Sequence, residues 1–541
     1  MKENWLIASL LLVGILLNVT GITWGLEHGT WLPDGEIEFA LKIGQTKDLN
    51  PHFFVNPHVY TYALFALYIV LYIFLRIGGV NLGAYSSVDD VPANAKMWLY
   101  LVPRVFSVIC TLASALLVYY LVKKIGKPIA AWFAAMFFTV TMTFVTYAHF
   151  EGRYALTVFM LLLPIYLLVR FVESRKRIWL ILAGLVIGLS ISTKYLNLFL
   201  VFPLIAAIIF VYGKNWIMYA KRGLLSFALI AAGFLIGTPY ALLDYPTFLK
   251  DIKFIFLVKD VSGYNGLFSP YKAWWFFPSI LANGFGIVLL SAIVLLGVYA
   301  IYKGFGNKTR GLIALMSLSF IIPYWLALGS GYFFTSRYLI PVQVFLVVLA
   351  GVGIAAAYDL QKTRILTGLL LLVVILSGLY AYSADIMMVH DSRYEARAWI
   401  VKNIPKGTTI DNFYRSEKFV PVLKDRYDFR LFKVVNERGT DRDEKLFKDF
   451  LANYKKDPGE YIILSSFEYG AYLPEEDKYF SGPMNLGYLP TYPERTQFYE
   501  DLLFGRFGYE RVKEFKYRTF FKPHPDFVNP TIILLKKSSA N

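Results

Sequence analysis

Residues 121–177 read LVKKIGKPIAAWFAAMFFTVTMTFVTYAHFEGRYALTVFMLLLPIYLLVRFVESRKR. Two apolar runs, about 128–147 and about 154–172, lie between a basic connector at 123–127 and another at 175–177. Each run has the ~20 residues that an α-helix needs to cross a ~30 Å hydrocarbon core. The stretch therefore reads as a membrane helical hairpin with positive charge at both open ends. At its closed end His149, Glu151 and Arg153 crowd a base, an acid and a cation into five residues.

The pattern repeats along the chain. Further basic connectors fall at 214–222, 303–310 and 362–364, and two apolar spans separate each connector from the next. Even spacing puts all five on one face, which the positive-inside rule makes cytoplasmic. The chain has 541 residues, is 57% hydrophobic and has a mean hydropathy of +0.50, too apolar for a water-soluble enzyme. Apolar runs stop at about Ser383. The fold class expected is a polytopic α-helical membrane protein of about eleven spans with a soluble C-terminal α/β domain, divided as 1–383 and 384–541. In the tail, 461–464 and 531–535 read as strands, and 393–402 and 444–454 as helices.

Residues 5–19 read as an uncleaved first span, because no small-residue cleavage site follows. The single cysteine, Cys110, excludes an intrachain disulfide and a thiolate metal cluster. The net charge of +16 sits largely in the short connectors, where it sets topology, so nucleic acid is not the expected partner. The run 59–77 disturbs the parity of the spans. Its aromatic residues suggest a helix lying along or dipping into the outer leaflet, with the loop 24–96 outside. The competing reading makes it a true span and moves the N-terminus outside.

On this topology one outer face holds 24–58, 149–153, 192–195, 244–278, 333–337 and the tail. The unexplained polar residues lie there. Asp34, Glu36 and Glu38 follow Pro33, and acids so spaced in a loop can hold a hard divalent cation, serve as a general base, or simply favour a helix start. Lys194 and Arg337 are lone cations on the face the orientation rule disfavours. With Arg153 they suggest a phosphate site, the bland alternative being snorkelling to headgroups. Gly263, Gly266 and the aromatic run 274–277 suggest a lid or an interfacial anchor. A Walker loop, a dinucleotide glycine fingerprint, HExxH and CxxC are all missing from the sequence.

One order of motifs carries a family resemblance. Pro-Asp-x-Glu follows the first span, then DLNPHFFVNPHVYTY (48–62), Pro103-Arg104, HFEGRYAL (149–156), STKY (192–195), SRYLIP (336–341) and ARAWIVKNIPKGTTI (396–410). This resembles the GT-C lipid-carrier-dependent glycosyltransferases, on the branch of the protein O-mannosyltransferases and aminoarabinose transferases (glycosyltransferase family 39-like). The resemblance implies an inverting transfer of a sugar from a polyprenyl phosphate to a protein, lipid or glycan acceptor on the outer or lumenal face of a cell membrane.

It implies Asp34 as general base, with Glu36 and Glu151 as further acids. Arg104, Arg153, Lys194, Arg337 and Tyr338 would lie near the carrier phosphate. Asp34, Glu36 and His149 are the candidate ligands if a divalent metal, magnesium or manganese, takes part. Two departures stand out: Asp34-Gly35-Glu36 replaces adjacent Asp-Glu, and Val55-Asn56-Pro57 replaces the Glu-Lys-Pro of the aminoarabinose branch. A flippase for lipid-linked sugars, or a catalytically inactive relative, is the alternative.

Overall fold

The computed structural model describes residues 3–26, 31, 36–82, 85, 88, 90–213, 215–255, 273–304, 306–330, 336–360, 363–413, 417–421, 423–432, 441–470, 472–473 and 493–538. Asp34, Gly35, Gly263 and Gly266 lie outside the described residues.

The membrane region is built from α1 (Glu3–Val19), α2 (Glu36–Thr46), α3 (Val59–Ile77), α4 (Ala93–Lys123), α5 (Pro128–Thr139), α6 (Met142–Ala148), α7 (Tyr154–Ser174), α8 (Arg177–Ile191), α9 (Val201–Tyr212) and α10 (Trp216–Gly237). It continues through α11 (Tyr240–Leu243), α12 (Tyr245–Lys253), α13 (Phe277–Phe285), α14 (Ile287–Gly304), α15 (Lys308–Gly329), α16 (Ser336–Ala357) and α17 (Thr363–Val389). Among the described residues, nine helices are long and apolar enough to cross a membrane, and α3 is one of them. The bent pair α5–α6 makes a tenth candidate, and α1 and α8 are shorter apolar helices; the expectation from sequence is of about eleven spans with α3 not among them. Outward-facing residues such as Phe74, Leu224, Phe227, Ile287 and Leu295 are exposed, as lipid-facing positions are.

The expected span 128–147 breaks at Val140–Thr141 into helices 61° apart. No proline or glycine marks the break. Thr139 and Thr141 instead bond their hydroxyls to the carbonyls of Ala135 and Phe137, a back-bonding that bends helices. Helix α16 is the most deeply interior. Close packing rests on glycines: a Cβ on Gly188 would lie 2.1 Å from the Ile230 carbonyl, and one on Gly353 would lie 2.0 Å from that of Leu296. Small residues let backbones approach where hydrocarbon supplies no hydrophobic drive between helices.

Helix α3 lays a stripe of Tyr60, Leu64 and Tyr68 into the protein, with Tyr68 donating to the Leu99 carbonyl at 2.6 Å. Four of its six aromatics, Tyr60, Tyr62, Tyr68 and Tyr72, thus donate hydrogen bonds to protein partners.

A second compact unit is formed by 24–33, 259–265 and 383–541. Its strands are β1 (Thr409–Asn412), β2 (Asp428–Leu431), β3 (Tyr461–Ser465), β4 (Tyr509–Phe515) and β5 (Ile532–Lys537), in the order β2-β1-β3-β5-β4. The first three are parallel, and β5 pairs antiparallel with both β3 and β4. Period-two alternation sends Ile462 and Leu464 to one face, against α19 (Asp441–Tyr454), α20 (Ser466–Tyr469) and α21 (Pro493–Leu503). Ile463 turns to the other face, against α18 (Ser392–Asn403). The sheet is covered on both sides, an α/β arrangement. Trp24 and Trp31 belong to this unit: Trp24 Nε1 donates to Asp391 at 3.0 Å, and the Arg393 guanidinium lies 3.9 Å from the Trp31 ring centroid.

Candidate active site

The turn between α6 and α7 sends its three ionisable side chains in three directions. Both ring nitrogens of His149 face backbone carbonyls, Nδ1 that of Val145 at 2.8 Å and Nε2 that of Thr20 at 2.7 Å. Glu151 Oε1 accepts from Arg104 Nε at 3.2 Å and Nη2 at 2.8 Å, and both side chains are buried. Its other oxygen, Oε2, has no hydrogen-bond partner among the described residues. Arg104 Nη1 also donates to the Ile22 carbonyl, at 2.6 Å. The Arg153 guanidinium pairs with Glu36, whose Oε2 accepts the Arg153 backbone N–H at 3.1 Å. Glu36, the first residue of α2, thereby sits at the N-terminus of α7, where the helix dipole favours a carboxylate. Tyr60 donates to the Glu151 carbonyl and Ser107 to that of Phe150, at 3.0 Å for the latter, so α3 and α4 hold the turn.

A second cluster lies one residue further on. Lys194, between α8 and the 3₁₀ turn Tyr195–Leu200, donates to the Arg337 carbonyl at 2.9 Å. Its ammonium lies 5.7 Å from the Tyr154 ring centroid and 5.2 Å from that of Tyr338. Arg337 Nη1 donates to the Tyr154 hydroxyl at 3.3 Å and its guanidinium lies 5.8 Å from the Tyr338 ring. Tyr324 fixes the Tyr338 carbonyl at 2.7 Å, and Tyr147 meets Ser336 Oγ at 3.1 Å. Two half-buried cations thus share an aromatic frame beside the N-termini of α7 and α16, both of which carry positive dipole ends. Such an arrangement suits a phosphate group.

The residues expected near a phosphate therefore divide. Lys194, Arg337 and Tyr338 converge, whereas Arg104 and Arg153 have carboxylate partners and act as braces of the turn. Glu151 and Glu36 take the complementary brace roles. Of the candidate metal ligands, Asp34 lies outside the described residues, both ring nitrogens of His149 face backbone carbonyls and Glu36 pairs with Arg153; among the described residues there is no group of three or more His, Cys, Asp and Glu side chains placed to hold a metal.

The comparisons bear on fold and family. Residues 100–240 match the family model described as dolichyl-phosphate-mannose-protein mannosyltransferase. ArnT from Cupriavidus metallidurans, solved bound to undecaprenyl phosphate, is 12% identical with a TM-score of 0.51, covering 99% of this chain and 98% of that one. The Archaeoglobus fulgidus oligosaccharyltransferase is 13% identical with a TM-score of 0.50, covering 86% and 69%. The chain has the GT-C fold. A Bacillus subtilis (strain 168) protein, YkcB, provisionally named a mannosyltransferase, is 32% identical over 106 residues. That match spans 20% of this chain and only 14% of the relative's length.

Within this GT-C framework, the sequence reading singled out Lys194 and Arg337 but missed Tyr154, which joins them, and Tyr60, which braces the acid turn. Tyrosines in apolar spans read as core or interface, so neither gave a signal. His58 is buried at the start of α3, its Nε2 at 3.0 Å from the Phe53 carbonyl, while Nδ1 has no hydrogen-bond partner among the described residues. Burial lowers its pKa to about 4, which keeps the ring neutral.

Proposed function

We propose that the chain is an inverting glycosyltransferase that takes a sugar from a polyprenyl phosphate and passes it to a hydroxyl-bearing acceptor at the outer membrane face. The observation that carries this reading is the Lys194–Arg337 cation pair in its tyrosine frame, beside the turn that anchors Glu36. The GT-C fold, and the polyprenyl phosphates in the descriptions of the matching family and of ArnT, support it.

In the proposed reaction Asp34 accepts the acceptor hydroxyl proton. The oxygen attacks the anomeric carbon from the side opposite the phosphate, and the carbon–oxygen bond to phosphate breaks with its electron pair staying on the phosphate. Configuration inverts. Lys194 and Arg337 stabilise the charge that grows on the leaving phosphate, and fixed charges aimed at developing charge contribute strongly to catalysis. Asp34 stands two residues before Glu36, so chain length alone keeps their backbones within ~7 Å of each other. The Glu36–Arg153 pair then serves as the tether for the base.

Purified protein incubated with labelled polyprenyl-phosphate sugars and an acceptor should release polyprenyl phosphate. Asp34→Asn should lower the rate by the ~10²–10⁴-fold that a general base contributes. Equal rates for wild type and variant would remove Asp34 from the base role. Movement of an intact lipid-linked sugar across the bilayer without bond cleavage would replace the enzyme with a flippase.

A further inference from the structure

The loop 516–524, KYRTFFKPH, belongs to neither the sheet nor the site above. It borders a cavity of about 170 Å³ in the second unit, whose lining includes Lys516, Arg518, Lys522 and His524 and no carboxylate. Met387, also in that lining, belongs to the last turn of α17. At the loop's tip Phe520 is 90% exposed and packs edge-on against Phe521, their rings 5.1 Å apart. A large aromatic left that open buries little of its surface in the folded domain.

The loop is built rather than slack. The Asn529 side chain clamps the Tyr517 backbone through both its amide atoms, donating to the carbonyl at 2.7 Å and accepting from the N–H at 3.3 Å. Asn529 N–H in turn donates to Asp391 at 2.7 Å. His390 stacks on Tyr517 at 4.8 Å. Lys522, with φ of 48°, adopts the left-handed backbone that a non-glycine residue takes only under local constraint. Lys516 and Arg518 are thus held on either side of a fixed residue. A pocket of one charge sign with an aromatic tip is a complement to a phosphate beneath a headgroup layer.

Helix α17 supplies the location. Its 27 residues extend ~40 Å, about 10 Å more than the hydrocarbon core, a length sufficient for a span whose final turns stand in the headgroup layer. Met387 lies in those turns. We propose that this pocket binds the phosphate of an anionic phospholipid headgroup, with Phe520 inserted among the acyl chains. The site is independent of the glycosyl-transfer reading and requires nothing from it.

The test uses the whole chain in nanodiscs, in a Cys110→Ala background. A bimane fluorophore is placed at Phe520→Cys and, as a control, at Lys448→Cys, whose native side chain is 60% exposed on α19. With brominated phosphatidylglycerol in the disc, quenching at position 520 should exceed that at 448 by at least twofold. The triple variant Lys516→Gln, Arg518→Gln, Lys522→Gln should abolish the difference, as should discs of phosphatidylcholine alone. Equal quenching at the two positions overturns the proposal. So does quenching at 520 that is unchanged by lipid charge and by the triple variant, which would show plain apolar contact. Millimolar inorganic phosphate should leave the signal intact; its loss would assign the pocket to a free phosphate instead.

Discussion

Lys194 donates a hydrogen bond to the backbone carbonyl of Arg337 at 2.9 Å, so two cations from distant parts of the chain occupy one neighbourhood. Both charges face the Tyr338 ring, at 5.2 and 5.8 Å from its centroid, and a bound anion would offset their mutual repulsion. Lys194→Ala and Arg337→Ala should each lower kcat/KM by ~10²–10³-fold, the loss typical for one donor aimed at a developing charge. Lys194→Arg should retain part of the activity because it keeps the charge. Steady-state kinetics on the donor identified by turnover would check both.

The Arg104–Glu151 pair is buried on both sides. Glu151→Gln leaves a buried guanidinium without its charge partner and should cost ~3–5 kcal/mol of stability, whereas replacing both members by apolar residues of similar volume (Arg104→Met with Glu151→Leu) should recover much of it. A double-mutant cycle on thermal unfolding in detergent measures this. If Glu151 were instead a catalytic acid, Glu151→Gln would lose activity with stability unchanged.

The α8–α10 contact makes a prediction of the opposite kind. Gly188→Ala puts a Cβ 2.1 Å from the Ile230 carbonyl and should destabilise by ~1–3 kcal/mol or more as the helices are forced apart. Gly223, also in α10, has nothing within 4 Å of its missing Cβ, so Gly223→Ala should be neutral or gain up to ~1 kcal/mol of helix propensity. Thermal unfolding of the two variants side by side separates packing from propensity.

In the second unit Glu468 is fully buried, and burial pushes its pKa up to about 8 against the opposing donors Asn412 and Ser465. The folded pKa exceeds the unfolded value of 4.5, so the native state binds the extra proton between those limits. Its stabilising contribution is complete below pH 4.5 and fades as pH rises toward about 8. Stability of this domain against unfolding should therefore weaken with rising pH across that window, by up to several kcal/mol. Glu468→Gln should flatten the slope. A wild-type profile flat from pH 5 to 8 would count against the shift.

These cases also show what a sequence displays and what it hides. Membrane spans and tail strands were legible because length and periodicity are local: 461–464 and 531–535 became β3 and β5, and 393–402 became part of α18. The break at Val140–Thr141 was hidden because threonine back-bonding, unlike proline, leaves no distinct signature. Lys194 and Arg337 were visible as charges out of place, since an isolated cation in an apolar setting demands a reason. The part of Tyr154 was not, because it meets them only through packing of α7, α8 and α16. Arg104 read as a phosphate residue from motif order and Arg153 from its place on the outer face as well, and only the fold revealed that Glu151 and Glu36 engage them. The position of 24–33 with the second unit was equally invisible, resting on Trp24 and Trp31 meeting Asp391 and Arg393 far along the chain.

The central claim is that Lys194 and Arg337 together hold a carrier phosphate, and binding tests it without any knowledge of the sugar or acceptor. Purified protein should bind a short-chain polyprenyl phosphate saturably, and the Lys194→Ala, Arg337→Ala double variant, confirmed as folded by its unfolding midpoint, should raise Kd by at least about tenfold, a loss of ~1.4 kcal/mol. An unchanged Kd in the folded double variant would contradict the account and place the carrier phosphate elsewhere.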